Sequence, residues 1–284
     1  MKGVYELMNI SKQAVYQYHK KSLGKHKEAE QFIEKASAIR KRHPMMGCRK
    51  IALKTKVQGW GRDKVEQLLL GNGYRILYPP NYIKTTRPQY ELIFPSLIEG
   101  ITLNGINQVV QTDISYIWVH RCFYYLVFII DVYSRRIVSY NAGENMEASA
   151  NIRALKMMMR TRKEHCLKDM IHHSDRGSQY TSKIYLAMLN ENKMKISMCK
   201  HAWENAYTER INRTIKEEYL TNWKIETYAQ LKKAVATAVR RYNEERPHWK
   251  LPMQLSPVQF EKYVNKLPKN KRPQMQLYKA SKQL

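Results

Sequence analysis

Acid is what this sequence has least of. Against 50 lysines and arginines it sets 24 aspartates and glutamates, a formal net charge of +26. An imbalance of that size disfavours a basic partner and points to a polyanion, most simply nucleic acid. Cysteine is scarce too. Cys48, Cys122, Cys166 and Cys199 stand far apart, with no pair at zinc-ligand spacing and no pattern of a disulfide framework, so a reducing compartment is expected. Long hydrophobic runs are missing: the longest, Phe123 to Val132, falls well short of a membrane span and suits a buried strand. The N-terminus shows no signal-peptide pattern, and there is no low-complexity tract or solenoid repeat. A soluble cytoplasmic protein with no membrane partner is expected, long enough for one sizeable catalytic domain and a smaller one.

The positive charge is uneven. Residues 1–90 carry 19 basic against 6 acidic side chains, and residues 263–284 carry 6 against none. Residues 1–22 read as helix, turn, helix, with Ser11 as the cap of the second helix and Ala14, Val15 and Tyr18 recurring at helical spacing. Such a unit often presents its second helix to a DNA groove, which makes Lys12 and Gln13 candidate contacts; a plain helical hairpin has the same pattern. Residues 23–77 read as a small helical DNA-binding domain. One helix spans 27–43 and stops before Pro44, a second starts at Met46, and a third runs from Arg62 to Leu70, closed by Gly71-Asn-Gly73. Arg40, Lys41, Arg42, Arg49 and Lys50 cluster there, with Arg49 and Lys50 the candidate contacts. Residues 78–104 read as a proline-interrupted linker.

From 105 to 262 the character changes. Gln108–Trp118, Cys122–Val132 and Arg136–Asn141 read as strands, the second near-continuously apolar and therefore central. A helix over 147–162, a strand ending at Asp175, a helix over 182–191, a short strand from Lys195 to Cys199 and helices over 205–220 and 227–245 follow. That order predicts an α/β (α+β) fold, a mixed sheet flanked by helices, with ligands expected at strand ends. Residues 263–284 read as a basic tail.

Three acids stand out. Asp113 lies inside an apolar strand, Asp175 ends another in Met170-Ile-His-His-Ser-Asp-Arg-Gly-Ser-Gln-Tyr180, and Glu209 sits on a helix. A buried carboxylate is costly without a partner, and three together repel unless a divalent cation lies among them. Phosphoryl-transfer sites use that combination, with two metal ions roughly 4 Å apart. Arg213 and Lys216 follow Glu209 at four and seven residues, on its face of the helix, where they suit phosphate; an ordinary surface ion pair is the plain alternative for Arg213. His172 and His173 are adjacent on a strand, so at most one faces the site. A histidine beside a carboxylate is more often an orienting group than a ligand. His173, Arg176 and Arg246 are further candidates for DNA contact. Tyr116, Trp118, Tyr124 and Tyr125 read as core, and Asp131 as structural.

Gln111-Thr-Asp-Ile-Ser-Tyr116, Asp131-Val-Tyr-Ser-Arg-Arg-Ile-Val138, His172-His-Ser-Asp-Arg-Gly-Ser-Gln-Tyr-Thr-Ser182, Glu204-Asn-Ala206 with Glu209, and Tyr242-Asn-Glu-Glu-Arg-Pro-His248 occur in this order. Together they resemble the catalytic, second-reading-frame subunits of bacterial insertion-sequence transposases, which have a retroviral-integrase-type core with an Asp-Asp-Glu motif. The resemblance covers nearly the whole chain. It implies an RNase H-like fold and places the acidic triad on Asp113, Asp175 and Glu209, with the following basic residue on Lys216. It also implies two Mg²⁺ ions, replaceable by Mn²⁺, and cleavage and joining of DNA at transposon ends. Double-stranded DNA, both terminal inverted repeats and target, is then the partner of a homo-oligomer, and an upstream-frame product is a possible second one. Two departures stand against the pattern. Between Asp175 and Glu209 lie 33 residues, two fewer than in many relatives, and Val110 stands where tryptophan is frequent. A non-joining metal-dependent nuclease of the same fold and a catalytically silent DNA-binding regulator are the alternative readings.

Overall fold

The computed structural model describes residues 11–55, 59–77, 94–145, 148–163 and 166–278. The chain divides into two compact units, Met1–Pro79 and Pro80–Leu284. Among the described residues no helix is long and apolar enough to cross a membrane.

The first unit is helical. Its first helix, α1 (Lys12–Arg42), is capped by the Ser11 hydroxyl, which accepts from the Ala14 amide at 3.1 Å. It is followed by α2 (Cys48–Thr55) and α3 (Arg62–Gly71). Phe32 and Ala36 of α1 pack with Met46, Cys48, Ile51, Val65 and Leu69. The separate helices expected over 12–20 and 27–43 are one continuous helix. Gly24 does not break it, because a mid-helix glycine costs only about 1 kcal/mol relative to alanine. The first helix expected before Ser11 lies outside the described residues. Arg40 also departs from a DNA-facing role: its guanidinium donates to the carbonyls of Pro44 (2.9 Å) and Tyr74 (2.7 Å), tying the end of α1 to the end of the unit.

The second unit is built on a five-stranded sheet. The first three strands after a short β1 (Thr102–Leu103) are β2 (Val109–Val119), β3 (Cys122–Asp131) and β4 (Ile137–Gly143), paired antiparallel. After α4 (Ala148–Arg162) the chain enters β5 (Ile171–Ser174), parallel to β2, and after α5 (Lys183–Glu191) it enters β6 (Lys195–Met198), parallel to β5. The strand order β4-β3-β2-β5-β6 is the mixed sheet that the element pattern predicted, in the RNase H-like arrangement that the resemblance implied. β3 is central and buried from Leu126 onward, as its apolar run requires.

Helices cover both faces. α4 and α5 bury Val110, Val127, Ile129 and Val138 on one. On the other, α6 (Ala206–Glu218) and α7 (Tyr228–Glu244) bury Ile117, Leu126, Phe128 and Ile130. Edge strand β4 is tied to α7 by Asn243, whose amide exchanges hydrogen bonds with the Ile137 backbone. Asp131 at the end of β3 is fully buried, as its structural reading anticipated. It accepts from Asn107 and Ser134 and faces Arg162, which also pairs with Glu261.

The boundaries differ from expectation at both ends. Residues 94–104 are not free linker: Ile98 and Leu103 are buried, and Ser96 and Leu97 bond to Glu204 and Ser197. Nor is 263–278 a loose tail. Helix α8 (Pro257–Asn265), introduced by the Ser256 capping box, is followed by β7 (Met275–Gln276), which pairs with β1 and brings Leu277 into the core.

Candidate active site

The register of the parallel strands brings two acids side by side. Gln111 of β2 pairs with His173 of β5, the last pair between these strands. Asp113 and Asp175 each lie two residues beyond it, at the carboxyl end of β5, where such sheets bind ligands. Past Gln111 the edge of β2 is free of strand, and α6 covers it. Its carbonyls are met by side chains, Thr112 O by Asn205 Nδ2 (3.2 Å) and Tyr116 O by Lys216 Nζ (3.4 Å).

Asp113 is pushed up to about 8, first by burial and then by the charges of Asp175 and Glu209. The Asn212 amide donates to its Oδ2 at 2.7 Å and works the other way. Asp175 is also raised by burial, against the Gly177 amide that donates to its Oδ1 at 3.0 Å. Thus Asp175, Arg176 and Gly177 form a tight turn closed by the acid itself. Arg176 is spent on that turn: it donates to the carbonyls of Cys199 (2.9 Å) and Lys200 (2.7 Å).

Glu209 comes from the first turn of α6. A short turn of 3-10 helix, Ala202–Asn205, precedes it and is fixed by buried Glu204, whose carboxylate accepts from the amides of Lys200 and His201 and from Ser96. Thr208 and Asn205 add contacts to Gln111 and Thr112 of β2, so the start of α6 is pinned to the strand that carries Asp113. Glu209, Asn212 and Lys216 then follow at three and four residues along one helical stripe. Lys216 is lowered by burial while Asp113 acts to raise it, and its ammonium lies 5.5 Å from the Tyr116 ring centre.

The three acids therefore share one field from three separate elements. Their side chains are not drawn to a single point: among the described residues no group of three or more His, Cys, Asp and Glu side chains is placed to hold a metal ion. In kind the donors fit a hard divalent cation, since all are carboxylate oxygens, and the strain on Asp113 is what such a cation would relieve.

Several expected contacts are redirected. His173 is fully buried, with Nδ1 2.8 Å from Ser197 Oγ and Nε2 3.1 Å from Cys199 Sγ, so it has no surface for DNA. His172 faces the other way and meets Tyr185 Oη at 2.9 Å. Burial lowers both histidines, His172 to about 4 and His173 to about 3, so both are neutral. Arg246 is likewise buried, in a two-point pair with Glu218 at 2.6 and 2.7 Å, and braces α6 against the end of α7. Arg213 is exposed and its ion pair is with Glu217 (3.5 Å). Trp118 and Phe123 are 56% and 52% exposed and pack edge to face, so Trp118 is not core. In the helical unit Lys12 and Gln13 are exposed on the first turn of α1, Arg49 pairs with Glu66 at 3.1 Å, and Lys50 is half-buried on α2. Asn212 escaped the sequence reading, although its place on the stripe between Glu209 and Lys216 was a usable signal.

Models of the integrase core domain match residues 104–202 and 191–254. The uncharacterized 31 kDa protein of insertion element IS600 from Shigella sonnei is 27% identical over 269 residues, 91% of this chain and 97% of that protein. The transposase for insertion sequence element IS904 from Lactococcus lactis is 31% identical over 194 residues, 64% of this chain and 76% of its own length. The HTLV-2 integrase catalytic core domain, solved in complex with magnesium, is 18% identical, covers 58% of this chain and 99% of its own, and superposes with a TM-score of 0.45.

Proposed function

The chain belongs to the insertion-sequence transposases with an integrase core domain, and from that premise we propose that it cuts DNA at the ends of its element and joins the exposed 3′-hydroxyls to target DNA. The observation that supports this most is the strand register that sets Asp113 beside Asp175, with Glu209 on a helix whose start is pinned to the Asp113 strand. Asp113, Asp175 and Glu209 would hold Mg²⁺, two ions in all, with Mn²⁺ able to replace it. Bound there, the cations supply activation of the attacking oxygen and neutralisation of the charge that builds on the phosphate.

The chain's own residues do the rest. Asp113 must give up its proton before it can ligate, so its high value couples cation binding to proton release. Asn212 keeps the Asp113 carboxylate oriented, and Gly177 does the same for Asp175. Glu209 is exposed at the helix start, where a change of side-chain rotamer can turn it toward the aspartates. Lys216, half-buried on the same stripe, is placed for a backbone phosphate, and exposed Arg213 extends that surface. The joining step balances without an added energy source: the new bond from the donor 3′-oxygen to phosphorus replaces one to a target 3′-oxygen, which leaves as a hydroxyl. No covalent protein nucleophile is needed.

The helical unit binds the terminal inverted repeats, with Lys12, Gln13, Arg49 and Lys50 among its contacts, and the protein works as a homo-oligomer on DNA in the bacterial cytoplasm, with an upstream-frame product as a further partner. The test uses a duplex carrying the repeats that flank the gene. The parent protein nicks it in Mg²⁺ and joins a pre-cut 3′ end to a target. Asp175→Asn loses both activities while binding the same duplex; joining by that variant would overturn the proposal, and nicking without joining by the parent would favour the nuclease.

A further inference from the structure

The last described residues form a strap that ends at the candidate active site. After α8 the chain returns as β7, with Met275 opposite Leu103 and Gln276 opposite Thr102. Leu277 is fully buried and donates its amide to Ile101 O at 2.8 Å, while the Gly100 amide donates to the carbonyls of Leu277 and Tyr278. Tyr278 follows with φ at 36°, in the left-handed region that a bulky side chain rarely adopts. Such a backbone persists only where its surroundings over-determine it, and here they do.

The Tyr278 hydroxyl donates to the carbonyl oxygen of Glu204 at 2.6 Å. The same oxygen accepts from Gln111 Nε2 at 2.7 Å, and that nitrogen lies 3.5 Å from the Tyr278 oxygen. One carbonyl is therefore the meeting point of three segments. Gln111 is two residues before Asp113 on β2, Glu204 is five before Glu209, and Tyr278 comes from the far end of the unit. The Tyr278 ring fills the remaining side, edge-on to Trp203 (centres 5.1 Å apart) and tilted on Tyr207 (5.7 Å).

We propose that Tyr278 is a positioning residue for the transposase reaction, holding the turn Ala202–Asn205 against β2 so that Glu209 stands at a fixed reach from Asp113. The inference rests on reading the three acids as the active site. A purely structural brace would lower stability and leave turnover alone. Tyr278 differs from that in where it acts: its hydroxyl reaches the backbone between two catalytic elements, and a misplacement of about 1 Å at a reacting centre costs up to about a hundredfold in rate.

Two variants and two readouts test it. Tyr278→Phe keeps the ring and deletes the hydroxyl; Tyr278→Ala deletes both. In Mg²⁺-dependent joining of a pre-cut end, Tyr278→Phe lowers kcat about tenfold with KM for DNA unchanged, and Tyr278→Ala lowers it further. In cation-free protein, amide hydrogen exchange over 203–210 quickens in both variants, while the α7 amides keep parental rates. The melting temperature of Tyr278→Phe stays within about 4 °C of the parent, as expected for one lost hydrogen bond. Parental kcat together with parental exchange in Tyr278→Phe overturns the proposal, and this variant decides it even if Tyr278→Ala does not fold. Quickened exchange with parental kcat also overturns it, since the brace is then structural only. Failure of the active-site reading looks different: Asp175→Asn would join DNA, whatever Tyr278 does.

Discussion

In the absence of divalent cation, Asp113→Asn stabilises the catalytic unit at neutral pH. An aspartate in an unfolded chain ionises near 3.8, whereas Asp113 in the fold holds its proton to about 8. A raised carboxyl means that the folded state carries the proton while the unfolded state has released it. Stability is therefore lost as pH rises from about 4 to about 8, at up to 1.36 kcal/mol per pH unit for one proton. At pH 7 the cost is on the order of 4 kcal/mol, which Asn at this position does not incur. In a unit of about 200 residues each kcal/mol moves the melting temperature by about 2–4 °C, so the variant should melt on the order of 10 °C higher. Urea unfolding of parent and variant in EDTA from pH 5 to 9 measures it. The difference between the two should grow with pH up to about 8 and then level off, with the contributions of Asp175 and Asp131 cancelling because both proteins share them. Added Mg²⁺ should raise the parent, more at higher pH because binding displaces the proton, and leave the variant little changed. Parallel curves at every pH would refute the claim that burial, together with the charges of Asp175 and Glu209, holds the proton on Asp113.

Other outcomes follow from the same contacts. Glu261→Gln should cost about 3 kcal/mol in urea unfolding, because buried Arg162 and the half-buried Arg136 lose the carboxylate that both bind; burial acts to raise that acid, yet the two arginines hold it low, so its contribution is present at neutral pH and disappears on acidification. Arg246→Ala should destabilise the unit while sparing the affinity of the folded protein for DNA in an anisotropy titration, whereas Lys216→Ala should leave unfolding nearly parental and weaken turnover about tenfold or more. Iodoacetamide should label exposed Cys122 rapidly in the native protein and spare Cys199, whose thiol is buried and pushed up by that burial; labelling of both at one rate would contradict the packing around His173.

Much of the sheet was legible in the sequence because its signals are local. The apolar run of β3 and the helix starts expected at 182 and 227 each depend on residues within a few positions. What was not legible depends on distant partners. His173 and Arg246 look like surface cations, and only the fold shows Ser197, Cys199 and Glu218 closing over them. Trp118 looks like core, but it alternates with buried Ile117 and Val119 and so points to the opposite face of β2, where it is exposed. The strands β1 and β7 are two residues each, too short to carry any periodicity, so the strap that ends in Tyr278 read as a basic tail. Of the site, the choice of the three acids came from motif and chemistry, whereas the adjacency of Asp113 and Asp175 follows from the register of Gln111 opposite His173.

The most direct test is to locate the cation. Crystals of the protein soaked in Mn²⁺, or in Mg²⁺ with DNA, should show anomalous or ordered density in contact with carboxylate oxygens of Asp113, Asp175 and Glu209, with the Glu209 side chain turned inward from its exposed position. A cation bound elsewhere, or held by the two aspartates with Glu209 left in solvent in the DNA complex, would contradict the account.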